Sequence, residues 1–559
     1  MKKHICTLVI LLLALAAGLS AQSYEATYHL ISKSYTLNED GSLDYRYRKE
    51  LQIFTRASFD TYGETFILYN PEFQTLTINE AYTVRKDGSV VKTPDNAFNP
   101  SLPYSCTDCQ RFNGMREMVV THTALEYDAT IVLDYTIHTE QPFIPGLMER
   151  VDLYEDAPIE RYDISVSVPS EGAIFHNVNY KGKREMEERT VAFGADSARV
   201  IAWHFTNLAQ KPAESYLLPN ELPYVMFTTF DSPTSLMSYM TMQNAFLPAP
   251  PNTYDEVLNP IMKKELSPME KVLEIRDYVC DNIHTNAVPM RYMANIVASP
   301  YMVWHTNCGT PVEKNLLLES MLRAAGYDAR FGFLYNHLMD NPEALLRLNM
   351  DGMTFYISAT SKSPLSMEVN RVYDSYIDKN GEVVNFLPWS RKVDMMAEVS
   401  LSKSSTGLDA EVNMKQAEVV SPKMQTLEPS NIQPVRATVT PLSGRYCRLT
   451  LDDGNYGTLL RSVNLTRERT CSVAVDSTDE RYMYEVTLPA GAQWLTQPFA
   501  YEKEYPFGKI VLKTEIVDNK LKVFRQLRIS ATEIPLKQYK KFREMMVQWD
   551  TPRHFDIQY

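Results

Sequence analysis

The chain has 559 residues, enough for several domains, and its 44% hydrophobic and 22% charged content is that of a globular protein with real cores. A formal charge of −13 excludes a nucleic-acid binder built on a basic face and counts against docking on anionic lipid. Cys106 and Cys109 form a C-x-x-C with no second pair and no histidines at ligand spacing, and there is no H-E-x-x-H, phosphate loop or calcium loop. Neither a metal nor a cofactor is therefore expected.

Taken in chain order, the first element is a leader. Lys2 and Lys3 precede an apolar run over 7–19 that ends at Ser20-Ala21-Gln22. A basic start, a short apolar core and a small-residue exit predict a signal peptide over 1–21, cleaved near Ala21, with no cysteine placed for lipid attachment. The run is short for a membrane span, and no later stretch is long enough for one, so a periplasmic or extracellular protein without a transmembrane segment is expected. Six cysteines remain after Cys6: Cys106, Cys109, Cys280, Cys308, Cys447 and Cys471. An oxidising compartment permits their pairing. Cys106–Cys109 reads as a loop staple, with a redox pair or free thiols as alternatives, and Cys447–Cys471 as a second bridge.

Residues 22–235 read as a β-sandwich-like domain. The segment 76–84 alternates apolar and polar residues, Lys86-Asp87-Gly88 turns the chain back into Val90-Val91, and 129–137 and 162–168 are further strands. The pattern changes near Asn252. Ser267-Pro268-Met269-Glu270 has the N-cap, first-position proline and third-position glutamate of a helix start, followed by Val272, Ile275, Val279 and Ile283 on one face. Thr310-Pro311-Val312-Glu313 repeats that logic. The helix it opens is apolar nearly all round from Leu316 to Leu322, which predicts a buried central helix stopped by Gly326. Strands follow at 330–335, 345–348 and 354–357. Residues 390–559 read as a C-terminal β domain, with strands at 445–451, 509–516 and 520–527, a polar turn or linker at 403–407, and a last helix over 535–548. The fold class predicted is α+β, multidomain.

The residues from Trp304 to Thr360 carry a resemblance. A Leu-rich helix, then Arg323-Ala324-Ala325-Gly326-Tyr327-Asp328-Ala329-Arg330, then a hairpin ending Phe355-Tyr356-Ile357-Ser358-Ala359-Thr360, resembles the transglutaminase-like superfamily, a papain-type cysteine-catalysis fold. It places a central domain at 250–368, and the flanking β regions resemble the domains of unknown function that accompany such modules in secreted Gram-negative bacterial proteins. That chemistry takes a thiolate at the helix N-terminus, a histidine that accepts its proton and an aspartate that orients the histidine. The matching positions here hold Pro311, which has no nucleophile, Glu343, a weak substitute base, and Ser358, which cannot stabilise an imidazolium. Cys308, three residues before Pro311, is the fallback nucleophile, with His337 or His305 as its base. The resemblance thus implies no catalytic residues and a silent domain that binds or assembles with a peptide, glycan or envelope protein. An active thiol peptidase or acyltransferase using Cys308, and a purely structural envelope component, are the alternatives.

Overall fold

The structure is a computed structural model and describes residues 24–193, 196–218, 221–335, 343–350, 352–362, 375–386, 390–405, 407–420, 435–454, 457–458, 460–551 and 553–559. The leader read over 1–21 and His337 lie outside the described residues. The fold is α+β and multidomain, mostly strands with a central helical region. It divides into two compact units. One takes the chain up to Lys211 with Tyr224–Phe230 and Arg291–Asn295, and the other takes Pro212–Pro223, Asp231–Met290 and Ile296–Tyr559. No helix among the described residues is long and apolar enough to cross a membrane.

The first unit is built on an eight-stranded sheet. Its order is Arg184–Phe193, Asp196–Leu208, Ile159–Pro169, Ala26–Leu37, Leu43–Ile53, Thr130–Thr139, Gln74–Val84 and Val90–Lys92. Only the pair Ile159–Pro169 and Ala26–Leu37 is parallel, with Ile31 opposite Tyr162. Alternation explains the burial: Tyr162, Ile164, Val166 and Val168 turn into the core while the residues between them do not. Trp203 and Phe227, both buried, stack with centroids 6.3 Å apart, and burying each such ring stabilises by roughly 1.5–3 kcal/mol. The turn at 86–88 is a hairpin closed by Arg85 N–H to Ser89 O at 2.8 Å, with Gly88 at φ +83°.

Against this sheet, Glu64–Tyr69, Arg116–Thr121 and Phe98–Ser101 form a smaller one. A polar chain is buried there: Lys49 Nζ donates to Thr65 Oγ1 at 2.8 Å, and Thr65 Oγ1 lies 2.8 Å from His122 Nε2. Burial pushes the Lys49 amine down to about 8 and the His122 imidazole down to about 3. His122 Nδ1 is buried without a partner.

The expected Cys106–Cys109 staple is not formed. Cys106 is a buried free thiol, and Cys109 is disulfide-bonded. Thr107 is extended and Asp108 is left-handed at φ +62°, so the chain turns between the two sulfurs and gives them different surroundings.

The second unit holds the helices. Both capping boxes read from sequence form: Ser267 and Glu270 exchange side-chain and backbone bonds at the head of Pro268–Asn282, and Thr310 and Glu313 do so at Pro311–Ala324. Leu316, Leu317, Leu318, Met321 and Leu322 are all buried, and Gly326 ends the helix at φ +91°. The helix packs on an antiparallel sheet of order Met353–Ile357, Ala344–Met350, Ala329–Leu334, Ser375–Asp378, Val383–Asn385.

Further along, a six-stranded sheet runs Gly407–Val420, Ser390–Ser404, Ser477–Thr487, Lys520–Ile529, Gly508–Val517, Phe499–Tyr505. Where a polar turn or linker is expected over 403–407, Lys403 and Ser404 end one strand and Gly407 begins the next, with Ser404 opposite Gly407. The last helix, Tyr539–Asp550, buries Phe542, Met545, Met546 and Trp549 in the same core. It starts later than expected, because Leu536–Gln538 after Pro535 forms a 3-10 turn. The expected Cys447–Cys471 bridge is absent, and both are free thiols. Cys447 is buried in the strand Tyr446–Asp452. Cys471 sits in a loop where its N–H donates to Glu214 Oε2 at 3.2 Å, so the two belong to different surroundings.

Candidate functional site

The head of the buried helix is where the resemblance puts chemistry. Pro311 occupies the first helical position and has no N–H to offer. The remaining polarity is taken up locally. Glu313, only 2% exposed, accepts from Thr310 N–H at 2.8 Å and from Ala298 N–H at 2.8 Å, and its own N–H donates to Thr310 Oγ1 at 3.3 Å. A carboxylate thus lies in the first turn and offsets the positive end of the helix dipole that would otherwise favour a thiolate.

The next two residues are polar and fully buried. Lys314 is 1% exposed and donates to Ile283 O at 2.6 Å and Thr285 Oγ1 at 2.8 Å. Burial lowers its amine, and the Cys280 and Asp281 side chains oppose that shift. Asn315 donates to Pro311 O at 2.8 Å, accepts from Ala359 N–H at 3.0 Å, and reaches Ser358 Oγ at 3.5 Å. Ser358 Oγ also lies 2.9 Å from Thr360 Oγ1. The Cys280 thiol donates to Ala359 O at 3.2 Å, and burial raises it above its ordinary value, with Lys314 opposing. Asn315 and Cys280 therefore hold the N–H and the C=O of one residue, Ala359, and the cluster closes on itself.

Of the sequence-derived positions, the structure brings Pro311 and Ser358 together through Asn315. Glu343 is exposed just before the strand Ala344–Met350, with its carbonyl accepting from Leu334 N–H at 2.9 Å. Cys308 is disulfide-bonded, so in this state it has no thiolate to present. It lies before the helix in a two-residue parallel bridge, opposite His284. His284 is exposed whereas Cys308 is buried. His305 is exposed on Pro300–Thr306 and packs between Tyr301, 4.0 Å away, and Trp304, 5.3 Å away. The residues that the sequence reading passed over are Cys280, Lys314 and Asn315. The adjacent Lys314-Asn315 pair, immediately ahead of an apolar run, was their visible signal.

Two families match the flanking β regions. Residues 39–212 match a domain of unknown function with a solved structure (DUF3857), and residues 456–557 match another of the same description (DUF3858). No curated protein matches the chain. Among solved structures, a protein of Parabacteroides distasonis described as a candidate protease is 27% identical, over 96% of this chain and 99% of its own, at a TM-score of 0.75. The two proteins share a fold over the residues matched. A candidate cysteine protease of Cytophaga hutchinsonii is 12% identical over 50% of this chain and 93% of its own, at a TM-score of 0.20, too low to carry an argument.

Proposed function

We propose that this chain is an exported protein of a bacterial envelope whose central domain keeps a transglutaminase-like scaffold without its chemistry and serves as a binding or assembly module. The observation that carries this is the head of the helix Pro311–Ala324: a proline in the nucleophile's place, with the carboxylate of Glu313 in the first turn. A buried cluster with its polar groups bonded to one another supports a structural use of the same residues. The alternative, a thiol peptidase or acyltransferase using Cys308, draws on the description of the Parabacteroides distasonis protein as a candidate protease. It requires the Cys308 disulfide to open.

The two readings separate in one experiment. The full chain is incubated with fluorescent casein and with a glutamine-donor/amine pair, with and without dithiothreitol, beside Cys308→Ser. The expected result is no turnover above buffer in any combination. Hydrolysis or transfer that appears with reductant and vanishes in Cys308→Ser overturns the silent reading.

A further inference from the structure

A second place in the molecule has the opposite character. A cavity of about 440 Å³ opens on the C-terminal β region, between the end of the strand Tyr446–Asp452, the turn Ser462–Asn464 and the end of the helix Tyr539–Asp550. Its walls include three guanidinium groups, Arg461, Arg525 and Arg553, drawn from three segments of the chain. The volume is within the range of small-molecule sites.

Two of the acidic side chains on the wall are already engaged. Asp453 pairs with Arg525 and accepts from the Tyr484 hydroxyl at 2.5 Å. Asp550 accepts from Ser462 N–H at 2.5 Å and from Arg461 at 3.4 Å. Arg553 is different. Its Nη1 donates to Thr551 O at 2.6 Å and its Nη2 reaches Trp549 O at 3.5 Å. Among the described residues no carboxylate lies within ion-pair distance of it. Arg525 Nη2 donates to the same Trp549 carbonyl at 2.6 Å. One carbonyl oxygen therefore accepts from both guanidinium groups; Asp453 pairs with Arg525 alone, and the charge of Asp550 acts on both without an ion pair to Arg553. Arg525 is only 6% exposed, and its Nε is buried without a partner. Burial depresses both groups, Arg553 to about 10, and Arg553 further depresses Arg525. Like charges held together in a half-buried wall are unfavourable unless an anion joins them.

We propose that this cavity binds a ligand bearing one carboxylate, of the kind a peptide C-terminus presents, with Arg553 as its principal partner. A guanidinium offers a planar fork that matches a carboxylate. Asp550 and the exposed Asp452 on the same wall repel a doubly charged phosphate, which favours a monoanion. Val463, 85% exposed at the rim, and Leu451 supply apolar surface for the group next to the carboxylate. The whole fits an apolar C-terminal dipeptide better than a mineral anion.

The test uses the full chain and isothermal titration with N-acetyl-alanyl-leucine, its C-terminal amide and inorganic phosphate. The expected result is saturable binding of the acid, with the amide at least about tenfold weaker, since a hydrogen bond to a charged group contributes about 1.5–3 kcal/mol. Phosphate is expected to bind no better than chloride. Arg553→Gln is expected to weaken the acid by at least about tenfold at an unchanged melting temperature. Val463→Asp, an exposed change that leaves the core alone, is expected to weaken the acid by repulsion and spare the amide. Equal affinity for acid and amide, phosphate binding ahead of the acid, or no binding of the acid at millimolar concentration overturns the proposal.

Discussion

The head of the helix Pro311–Ala324 and the cavity beside Arg553 are both polar places set in β-rich surroundings, and they treat their polar groups in opposite ways. At the helix head, Glu313, Lys314 and Asn315 each find partners within the protein, and the N–H and C=O of Ala359 are both held. At the cavity, Arg525 and Arg553 share one carbonyl, Asp453 pairs with Arg525, Arg461 serves Asp550, and among the described residues no carboxylate lies within ion-pair distance of Arg553. A buried polar cluster that satisfies itself contributes stability and has nothing left for a ligand. One in which a guanidinium has no ion-pair partner can recruit a ligand to supply it. Position in a recognisable fold does not decide between these roles; the partners do.

That contrast can be broken by removing one group from each side. Asn315→Ala deletes the acceptor for Ala359 N–H and leaves that buried donor orphaned, so a loss of about 3 kcal/mol is expected in urea unfolding followed by circular dichroism. A change below about 0.5 kcal/mol would mean the cluster is not what holds the helix head closed.

A third buried polar place, in the other unit, sharpens the scale. His122 is held neutral, with its imidazole near 3 in the fold against about 6.5 in an unfolded chain. As pH falls below about 6.5 the unfolded state binds a proton that the folded state refuses. Stability from this group is therefore full above that pH and declines by about 1.4 kcal/mol per unit on the way to pH 3. Hydrogen exchange in Glu64–Tyr69 and Arg116–Thr121 should report it, and His122→Phe should remove one proton's worth of the slope. An unchanged slope would show that His122 is not the responsible group.

The smallest effect is expected at the cavity. Arg553→Gln removes a cation that has no carboxylate within ion-pair distance among the described residues and that repels Arg525, so stability should stay within about 0.5 kcal/mol of wild type or rise. A loss comparable to that of Asn315→Ala would place Arg553 with the self-satisfied groups and end the contrast.

Much of the local structure was legible from residue order. Ser267 with Glu270, and Thr310 with Glu313, are capping pairs three residues apart, and both formed as read. The strands Gln74–Val84, Thr130–Thr139 and Ile159–Pro169 followed from alternation, and the Leu-rich helix is buried as its pattern implied. The start of the last helix shifted, because a proline followed by good helix formers suits a 3-10 turn as well as an α-turn.

What residue order could not supply are the pairings made across long separations. A capping box is settled within one helical turn, where backbone geometry fixes the distance between partners. Asn315 meets Ala359 across 44 residues, Cys280 meets the same residue across 79, and Arg525 meets Asp453 across 72. The count of cysteines permitted bridges, but a sulfur pairs only where the folded backbone brings another within reach. Cys109 and Cys308 are disulfide-bonded while Cys106, Cys447 and Cys471 remain thiols. Likewise Arg461, Arg525 and Arg553 are unremarkable in the chain and become one wall only when a strand end, a turn and a helix end converge. Local rules act on neighbours in sequence, whereas charge and sulfur act on neighbours in space, and only the packed sheets determine which those are.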